Sequence, residues 1–196
     1  MIDALDSALE ALLRRELPTD LVPQIAISFA APDSQFPPSA VTPPAIDLFL
    51  YDVRENRELR SAEWVVERRG DGATRVPPAV RVDCSYLVTA WAASSQTAAR
   101  DEHGLLGAVM KALLRYPILP AELLSGELKN QELPLPTTTL QPGRLQSLGE
   151  FWHALGGKPK AALSYTVTIS VPAGVPTEAG RPVLDAQLKL VQVGRS

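Results

Sequence analysis

Three side chains in the sequence could support nucleophilic catalysis, namely Cys84, His103 and His153. A thiol nucleophile needs a base within hydrogen-bond reach, and these residues are far apart along the chain, so only the fold could assemble them. Cys84 also lies in the middle of an apolar alternating pattern, where a cysteine usually behaves as a small, inert hydrophobic residue. The pattern therefore favours a structural Cys84, and a small cytoplasmic enzyme that uses it as a nucleophile is the alternative.

Motifs for metal, phosphate or acid–base chemistry are absent from the sequence. Two histidines and one cysteine without close spacing do not make a metal site. No GxxxxGK[ST], GxSxG or HExxH motif occurs. Asp47 and Asp52 lie on one predicted strand at a spacing that places them on opposite faces, so they do not form an acid and base pair. We therefore predict a protein without a catalytic site, a cofactor or a metal.

A dense segment of mixed charge, RENRELR, fills residues 54–60 directly after that strand. One interpretation is a solvated loop whose three arginines and two glutamates neutralise one another. The other is an interface in which arginines bridge to carboxylates of a neighbouring copy, with tryptophans as anchors. Core packing is the competing explanation for Trp64 and Trp91. The residues that the interface hypothesis assigns are Arg54, Glu55, Arg57, Glu58, Arg60 and Trp64.

The composition is typical of one soluble globular domain. Of the 196 residues, 45% are hydrophobic and 21% are charged, and the 18 prolines indicate long rigid connections. A net charge of -3 argues against nucleic-acid binding, which normally requires clustered basic residues. The first residues, MIDALDSALEALLRR, lack the basic start of a signal peptide, and no apolar run reaches the ~18 residues that span a bilayer. These features predict synthesis in the cytoplasm.

The elements that would position these residues are three long strands and two helices. Residues 46–53 are apolar on both sides of an extended chain, which predicts a central strand. Residues 80–92 predict the longest strand, with an apolar core face and a second face that runs from a polar rim into a covered region. Residues 161–171 combine an apolar face with a face of small hydroxyls. Amphipathic helices are predicted at 2–17 and 100–116, each ended by a proline.

Shorter elements complete the predicted fold. We expect a short strand at 24–29, weak edge strands at 63–69 and 133–140, a short helix capped by Ser147 at 147–155, and a last strand at 182–193. The sum is a single α+β domain in which a mixed, mainly antiparallel sheet packs against two main helices. A monomeric adaptor that binds an extended peptide along a free sheet edge also fits this plan, and is a second alternative.

Five blocks of the sequence carry a resemblance to a known family. They are FLYDVRENRELRSAEW, RVDCSYLVTAWA, EHGLLGAVMKALLRYPILP, LGEFWHALGG and LSYTVTISV. In this order, and after an N-terminal helix, they resemble the cap protein of contractile injection systems of the antifeeding-prophage and virulence-cassette type. The resemblance covers residues 1–172, a cap or tail-terminator-like domain. Residues 173–196 carry little of it and are predicted to be a C-terminal extension, as an added strand, an arm or part of the sheet.

The resemblance implies a structural role, similar in plan to that of a phage tail terminator. Proteins of this family form a sixfold ring on the baseplate-distal end of the inner tube, stop its polymerisation and contact the last ring of the sheath. The implied partners are further copies of the chain in a homohexamer, the inner tube protein and the contractile sheath protein, but no nucleic acid. The resemblance also implies assembly in the cytoplasm as part of a phage tail-like particle, whose contact with a membrane stays open.

Overall fold

The computed structural model describes residues 1–34, 36–38, 40–69, 72–141 and 148–180, which fall into two compact units. The first unit comprises Met1–Leu59 and Arg81–Val171, and the second comprises Arg60–Val80 and the described residues after Val171. The elements of the first unit are α1 (Ile2–Glu16), β1 (Ala26–Ser28), β2 (Ala45–Glu55), β5 (Val80–Trp91), α2 (Ala98–Leu114), β6 (Thr137–Thr139), α3 (Leu148–Leu155) and β7 (Ala162–Val171). Those of the second unit are β3 (Val65–Arg69), β4 (Gly72–Val76) and β8 (Thr177–Gly180).

A five-stranded sheet in the order β1-β2-β5-β7-β6 forms the centre of the first unit. Strand β1 runs parallel to β2, whereas the pairs β2–β5 and β6–β7 are antiparallel. The second unit contains a separate antiparallel sheet in the order β3-β4-β8. The predicted α+β fold with a mixed, mainly antiparallel sheet is therefore confirmed.

Helices α1 and α2 pack on one face of the five-stranded sheet and form the hydrophobic core with it. Leucines recur at three- and four-residue steps in α1, and Leu9 and Leu12 are fully buried among the core residues of β2, β5 and β7. Alternate residues of β5 project into the same cluster, including Cys84 and Tyr86. The Tyr86 hydroxyl donates a hydrogen bond of 2.8 Å to Asp6 of α1, which ties the helix to the sheet.

Aromatic residues cover the opposite face of β2. The ring of Phe151 in α3 lies 6.2 Å from that of Phe49 and 6.1 Å from that of Tyr51, and its neighbour Trp152 is 1% exposed. Contacts of this kind add to the free energy that comes from burying the rings. Strand β2 is thus covered on both faces and has a neighbour on each side, which confirms it as a central strand.

A β-bulge in the middle of β2 changes which of its side chains share a face. Asp47 pairs with Thr89 and Asp52 with Ser85, because the register shifts between Leu50 and Asp52. Thr89 and Ser85 are four residues apart on β5 and face the same side, so Asp47 and Asp52 do as well. The prediction that these carboxylates point to opposite faces is therefore wrong. They still do not form a catalytic pair, because four strand residues separate their partners by about 13 Å.

The predicted elements agree with the structure at most positions. Both long helices, the long strands β5 and β7, and the edge positions of β3 and β6 are confirmed. The strand predicted at 24–29 is only Ala26–Ser28, because Val22–Gln24 forms a 3-10 turn. The Ser147 cap and the strand at 182–193 lie outside the described residues, and the boundary at residue 172 stays a prediction. In the described part of the chain, no helix is long and apolar enough to span a membrane.

Candidate interaction surface

The charged segment begins as the end of β2 and continues as a bend. Arg54 and Glu55 are the last residues of the strand, and the side chains of Arg54, Glu55, Arg57 and Glu58 are all exposed. The Nε atom of Arg54 lies 2.5 Å from a carboxylate oxygen of Asp52, and this contact raises the pKa of Arg54. About half of the Arg54 side chain stays in solvent, so this ion pair contributes little to the stability of the fold.

Asn56 fixes the start of the bend through three hydrogen bonds. Its backbone N–H donates to the carbonyl of Arg81 at 2.8 Å, and its side-chain amide donates to Oδ1 of Asp83 at 3.0 Å. Its Oδ1 accepts from the N–H of Leu59, also at 3.0 Å. Such local asparagine bonds replace backbone pairing in a turn and restrict its conformations. The charged side chains between Asn56 and Leu59 are therefore presented from an ordered bend.

The carboxylate of Asp83 also belongs to a buried polar network between β5 and β7. Asp83 is 3% exposed and accepts from the Thr168 hydroxyl at 2.8 Å. Arg81 is 5% exposed and donates to the carbonyl of Pro134 at 3.0 Å and to the hydroxyl of Ser170. Burial lowers the pKa of Arg81, and the nearby charge of Asp83 acts in the opposite direction. These hydrogen bonds offset part of the free-energy cost of burying the charges of Arg81 and Asp83.

This network corrects the prediction for the second face of β5. The polar start of that strand was expected at a solvated rim, but Arg81, Asp83 and Ser85 are all buried. Ser85 shares a 3.1 Å hydrogen bond with Thr166, so the hydroxyl face of β7 supplies partners along the strand. The run of small hydroxyls on β7 is the one sequence signal that could have indicated this pairing.

The last two candidate residues, Arg60 and Trp64, belong to the second unit, so the structure divides the candidate set between the two units. Both are exposed, and Trp64 keeps 42% of its surface in solvent. The guanidinium carbon of Arg75 lies 5.2 Å from the centre of the Trp64 ring, a cation–π contact. Core packing is therefore wrong for Trp64. Trp91, in contrast, is half-buried, with its ring centre 4.4 Å from that of Phe36.

The candidate nucleophile Cys84 lies inside the core. Its side chain is fully buried, and burial raises the pKa of its thiol to about 11. At neutral pH the thiol is protonated and out of reach of a substrate, whereas catalysis needs an accessible thiolate. His103 and His153 are exposed on α2 and α3. Among the described residues, no group of three or more His, Cys, Asp or Glu side chains could hold a metal ion.

A small cavity of about 210 Å³ lies beside α2, and its lining includes Glu102, His103 and Lys160. The Lys160 Nζ atom lies 2.7 Å from Oε1 of Glu102 and 3.6 Å from the centre of the Trp91 ring. The same Glu102 oxygen accepts from the N–H of Ala92 at 3.3 Å. The volume is below the roughly 300–1,000 Å³ of ordinary ligand pockets. These contacts tie α2 to the end of β5, and they leave the lysine paired and not free to react.

Residues 4–185 match the family model of the Pvc16 N-terminal domain. The chain belongs to the Pvc16 N-terminal domain family. The match includes α1 from Ala4 onward, the five-stranded sheet and the candidate interface residues, and it confirms the resemblance found in the sequence. No curated protein matches the chain.

Two solved structures share the fold of this Pvc16 N-terminal domain. The PVC sheath/tube terminator of an extracellular contractile injection system, in its extended state, is 28% identical with a TM-score of 0.69. That match covers 99% of this chain and 64% of the terminator. The tube-terminating cap of the anti-feeding prophage is 23% identical with a TM-score of 0.64, over 97% of this chain and 61% of the cap, and shows the fold alone. The chain thus spans less than two thirds of either protein, and its terminator-like fold is confirmed.

Proposed function

We propose that this chain is a structural cap of a contractile injection system. It forms a ring at the baseplate-distal end of the inner tube and sheath, ends the polymerisation of the tube and joins tube to sheath. The observation that carries the proposal is the 28% identity to a sheath/tube terminator over 99% of this chain. The chain spans 64% of that protein, so its assembly and partners are part of the proposal.

A cap of this kind needs binding surfaces and no active site. The end of a protein tube is an open, heterologous interface that continues to grow until it binds a subunit that offers no further copy of that interface. A capping subunit therefore needs one surface for the tube, lateral surfaces for its own copies, and an outer surface that does not extend the tube. The buried Cys84 and the paired Lys160 are in keeping with such a role, because neither provides a reactive group.

The proposed partners are further copies of the chain in a homohexameric ring, the inner tube protein and the contractile sheath protein. The chain is made and assembled in the cytoplasm and becomes part of a phage tail-like particle. Within it, residues 1–172 are the terminator-like domain, and residues 173–196 are an extension. Support for the domain comes from the family match, which begins at residue 4 and runs on to residue 185, into the proposed extension.

The proposed lateral interface includes Arg54, Glu55, Arg57, Glu58, Arg60 and Trp64. All six are exposed, and hydrogen bonds of Asn56 hold the backbone of the bend that carries Arg57 and Glu58, so less backbone entropy is lost when this bend binds a neighbour. Arginines in such positions bind carboxylates with two parallel hydrogen bonds, which fixes the orientation of the neighbour.

The deciding experiment is negative-stain electron microscopy of particles from cells with and without this gene. Over-long, ragged or missing tubes in the deletion strain, restored by adding the gene back, are expected. Particles of normal length with normal ends in the deletion strain would contradict the proposal.

The lateral interface is tested in the same complementation assay with Arg57→Asp. If Arg57 pairs with a carboxylate that is buried in the interface, its loss costs about 2–5 kcal/mol, so at least about tenfold fewer particles should carry normal ends. Arg100→Asp on α2 is the control, because it makes the same change at another exposed arginine. Equal complementation by both variants would remove Arg57 from the interface.

A further inference from the structure

The three-stranded sheet of the second unit has two faces, and the register of its strands assigns side chains to each of them. Paired residues of neighbouring strands point to the same side of a sheet. One row of partners consists of Val66 on β3, Arg75 on β4 and Thr177 on β8. We call the side to which this row points the front face. Because side chains alternate along a strand, Arg68 also lies on the front face, whereas Val65 points to the back.

The front face is basic. The side chains of Arg68 and Arg75 are exposed, and they lie at diagonal positions because Arg68 pairs with Ala73 and Arg75 with Val66. Long side chains reach one another across such a diagonal, so the two guanidinium groups can bind neighbouring carboxylates of one partner. Among the described residues of the three strands, no acidic side chain shares this face, so the strands do not neutralise either charge there.

Trp64 restricts the position of one of these arginines. The guanidinium carbon of Arg75 lies 5.2 Å from the centre of the Trp64 ring. A guanidinium group that packs on an aromatic ring keeps its N–H donors in its own plane, where they can bind a carboxylate. The Arg75 side chain is therefore partly ordered before a partner binds, which lowers the entropy that binding costs.

An apolar side chain lies exposed beside the arginines. Val66 is the strand partner of Arg75, and 50% of its surface is in solvent. A protein surface that covers this pair would bury the valine while its carboxylates bind the guanidinium groups. Arginine and aromatic residues are enriched at the centre of protein interfaces, whereas lysine and acidic residues are depleted there, and the front face has this composition.

We propose that the front face binds an acidic surface of the inner tube protein at the open end of the tube. This inference rests on the proposed function, because a cap ends polymerisation only if each copy binds the tube. A second copy is a poorer partner, since two front faces would oppose their arginines and the bend at 54–60 holds three arginines against two glutamates. Nucleic acid is also a poorer partner, since base stacking needs several aromatic rings and Trp64 is the only one in residues 60–80 and 172–196.

The front face is small relative to a complete interface. Three strands at ~4.8 Å and five residues at ~3.4 Å give it an area of about 250 Å². A stable interface buries about 800 Å² per partner, so this face is one part of the contact with the tube. Each copy in the proposed ring repeats the contact, and several linked contacts bind much more tightly than one.

Cosedimentation with particles from the deletion strain tests the face and its charge. The full wild-type chain should sediment with these particles. Val66→Asp should weaken the binding at least about tenfold, because its carboxylate meets those of the partner. Val65→Asp is the matched control: it makes the same change at the next residue, which is 56% exposed on the other face, and should bind like the wild type.

Removal of the two charges supplies a second measurement on the same particles. Arg68→Gln with Arg75→Gln should weaken the binding and make it less dependent on salt concentration, because salt screens the contacts that these arginines form. Circular dichroism and urea midpoints show that each variant is folded. Equal binding of folded Val66→Asp and Val65→Asp would overturn the inference, as would an unchanged salt dependence of the arginine variant.

Photo-cross-linking identifies the partner. The full chain with Val66→benzoylphenylalanine, in particles of the complemented strain, should form an adduct with the inner tube protein at a peptide that contains Asp or Glu. Val65→benzoylphenylalanine is the control and should not form this adduct. An adduct of residue 66 with the sheath protein, with a second copy of the chain or with nucleic acid would overturn the inference, and so would the lack of any adduct in particles with normal ends.

The outcomes separate this inference from the proposed function. A wild-type chain that does not sediment with the particles would contradict the cap proposal and this inference with it. Equal binding by the wild type and Val66→Asp would contradict the inference alone, and the cap proposal would then stand on another surface of the chain.

Discussion

Asp47 is a residue through which pH should act strongly on the stability of the first unit. It lies on β2, in register with Ser28 of β1 and Thr89 of β5, and is fully buried. Neither of its carboxylate oxygens has a hydrogen-bond partner of good geometry. Burial raises the pKa of Asp47 from 3.8 to about 7, and the nearby Ser28 hydroxyl and Ala30 amide offset only part of the rise.

The sign of the effect follows from this raised pKa. Between pH 3.8 and about 7, the folded protein keeps the proton of Asp47 while the unfolded chain has released it. The free energy of unfolding therefore falls as the pH rises through this range, and it stays at the lower value above it. The shift of roughly three pKa units, at 1.36 kcal/mol per unit, corresponds to about 4 kcal/mol.

The assay is urea unfolding of the wild type and Asp47→Asn between about pH 4 and pH 8. The variant has no proton to exchange, so its stability relative to the wild type should rise by about 4 kcal/mol across this range. Asp20→Asn, at an exposed position, is the control and should follow the wild type. A constant difference between Asp47→Asn and the wild type would show that the folded protein tolerates the charge, and the reasoning would be refuted.

Three further predictions concern α2, the ends of the two long helices and the core. Open space surrounds the Cβ position of Gly104 and Gly107, so alanine at either should raise the free energy of unfolding by about 0.5–1 kcal/mol in thermal denaturation. Glu16 accepts from the Tyr116 hydroxyl at 2.6 Å and from two arginines, so Glu16→Gln should cost roughly 1–3 kcal/mol in urea unfolding at neutral pH. Tyr116 and the arginines lower the pKa of Glu16, so the wild type should lose this advantage as the pH falls through the folded-state pKa; equal stability at neutral pH would contradict the contact. Cys84 should react with a thiol reagent such as DTNB only as fast as the protein unfolds, and rapid labelling of the native chain would contradict its burial.

Burial made the main elements predictable from the sequence. A helix that packs against a sheet must repeat its apolar residues at three- and four-residue steps, and α1 does so from Leu5 to Leu13. A strand with one face in the core must alternate, as β5 does from Val82 to Ala90. These patterns are local, so they can be read without knowing what lies opposite.

Features that depend on distant partners could not be predicted in this way. The bulge beside Leu50 results from the register between two strands. The sequence does not indicate it, because Tyr51 is a residue type that is common in regular strands. Arg81 and Asp83 look like surface residues in the sequence, and only partners from β7 and from Pro134 allow their burial. The exposure of the candidate interface could be predicted from its charges, but its division between two units could not, because alternation does not show which segments pack together.

The hydrogen bond between Asn56 and Arg81 also bears on how this family could vary its length. At that bond the chain leaves the β2–β5 ladder and returns to it, with backbone atoms only 2.8 Å apart. The two ends of the segment between them therefore already lie side by side. Doubling the length of a flexible loop adds only about 0.6 kcal/mol to the entropic cost of closing it. Insertions, deletions or replacements in the segment between β2 and β5 would leave the β2–β5 ladder unchanged, so this is where the domain could acquire a new binding specificity without refolding its centre.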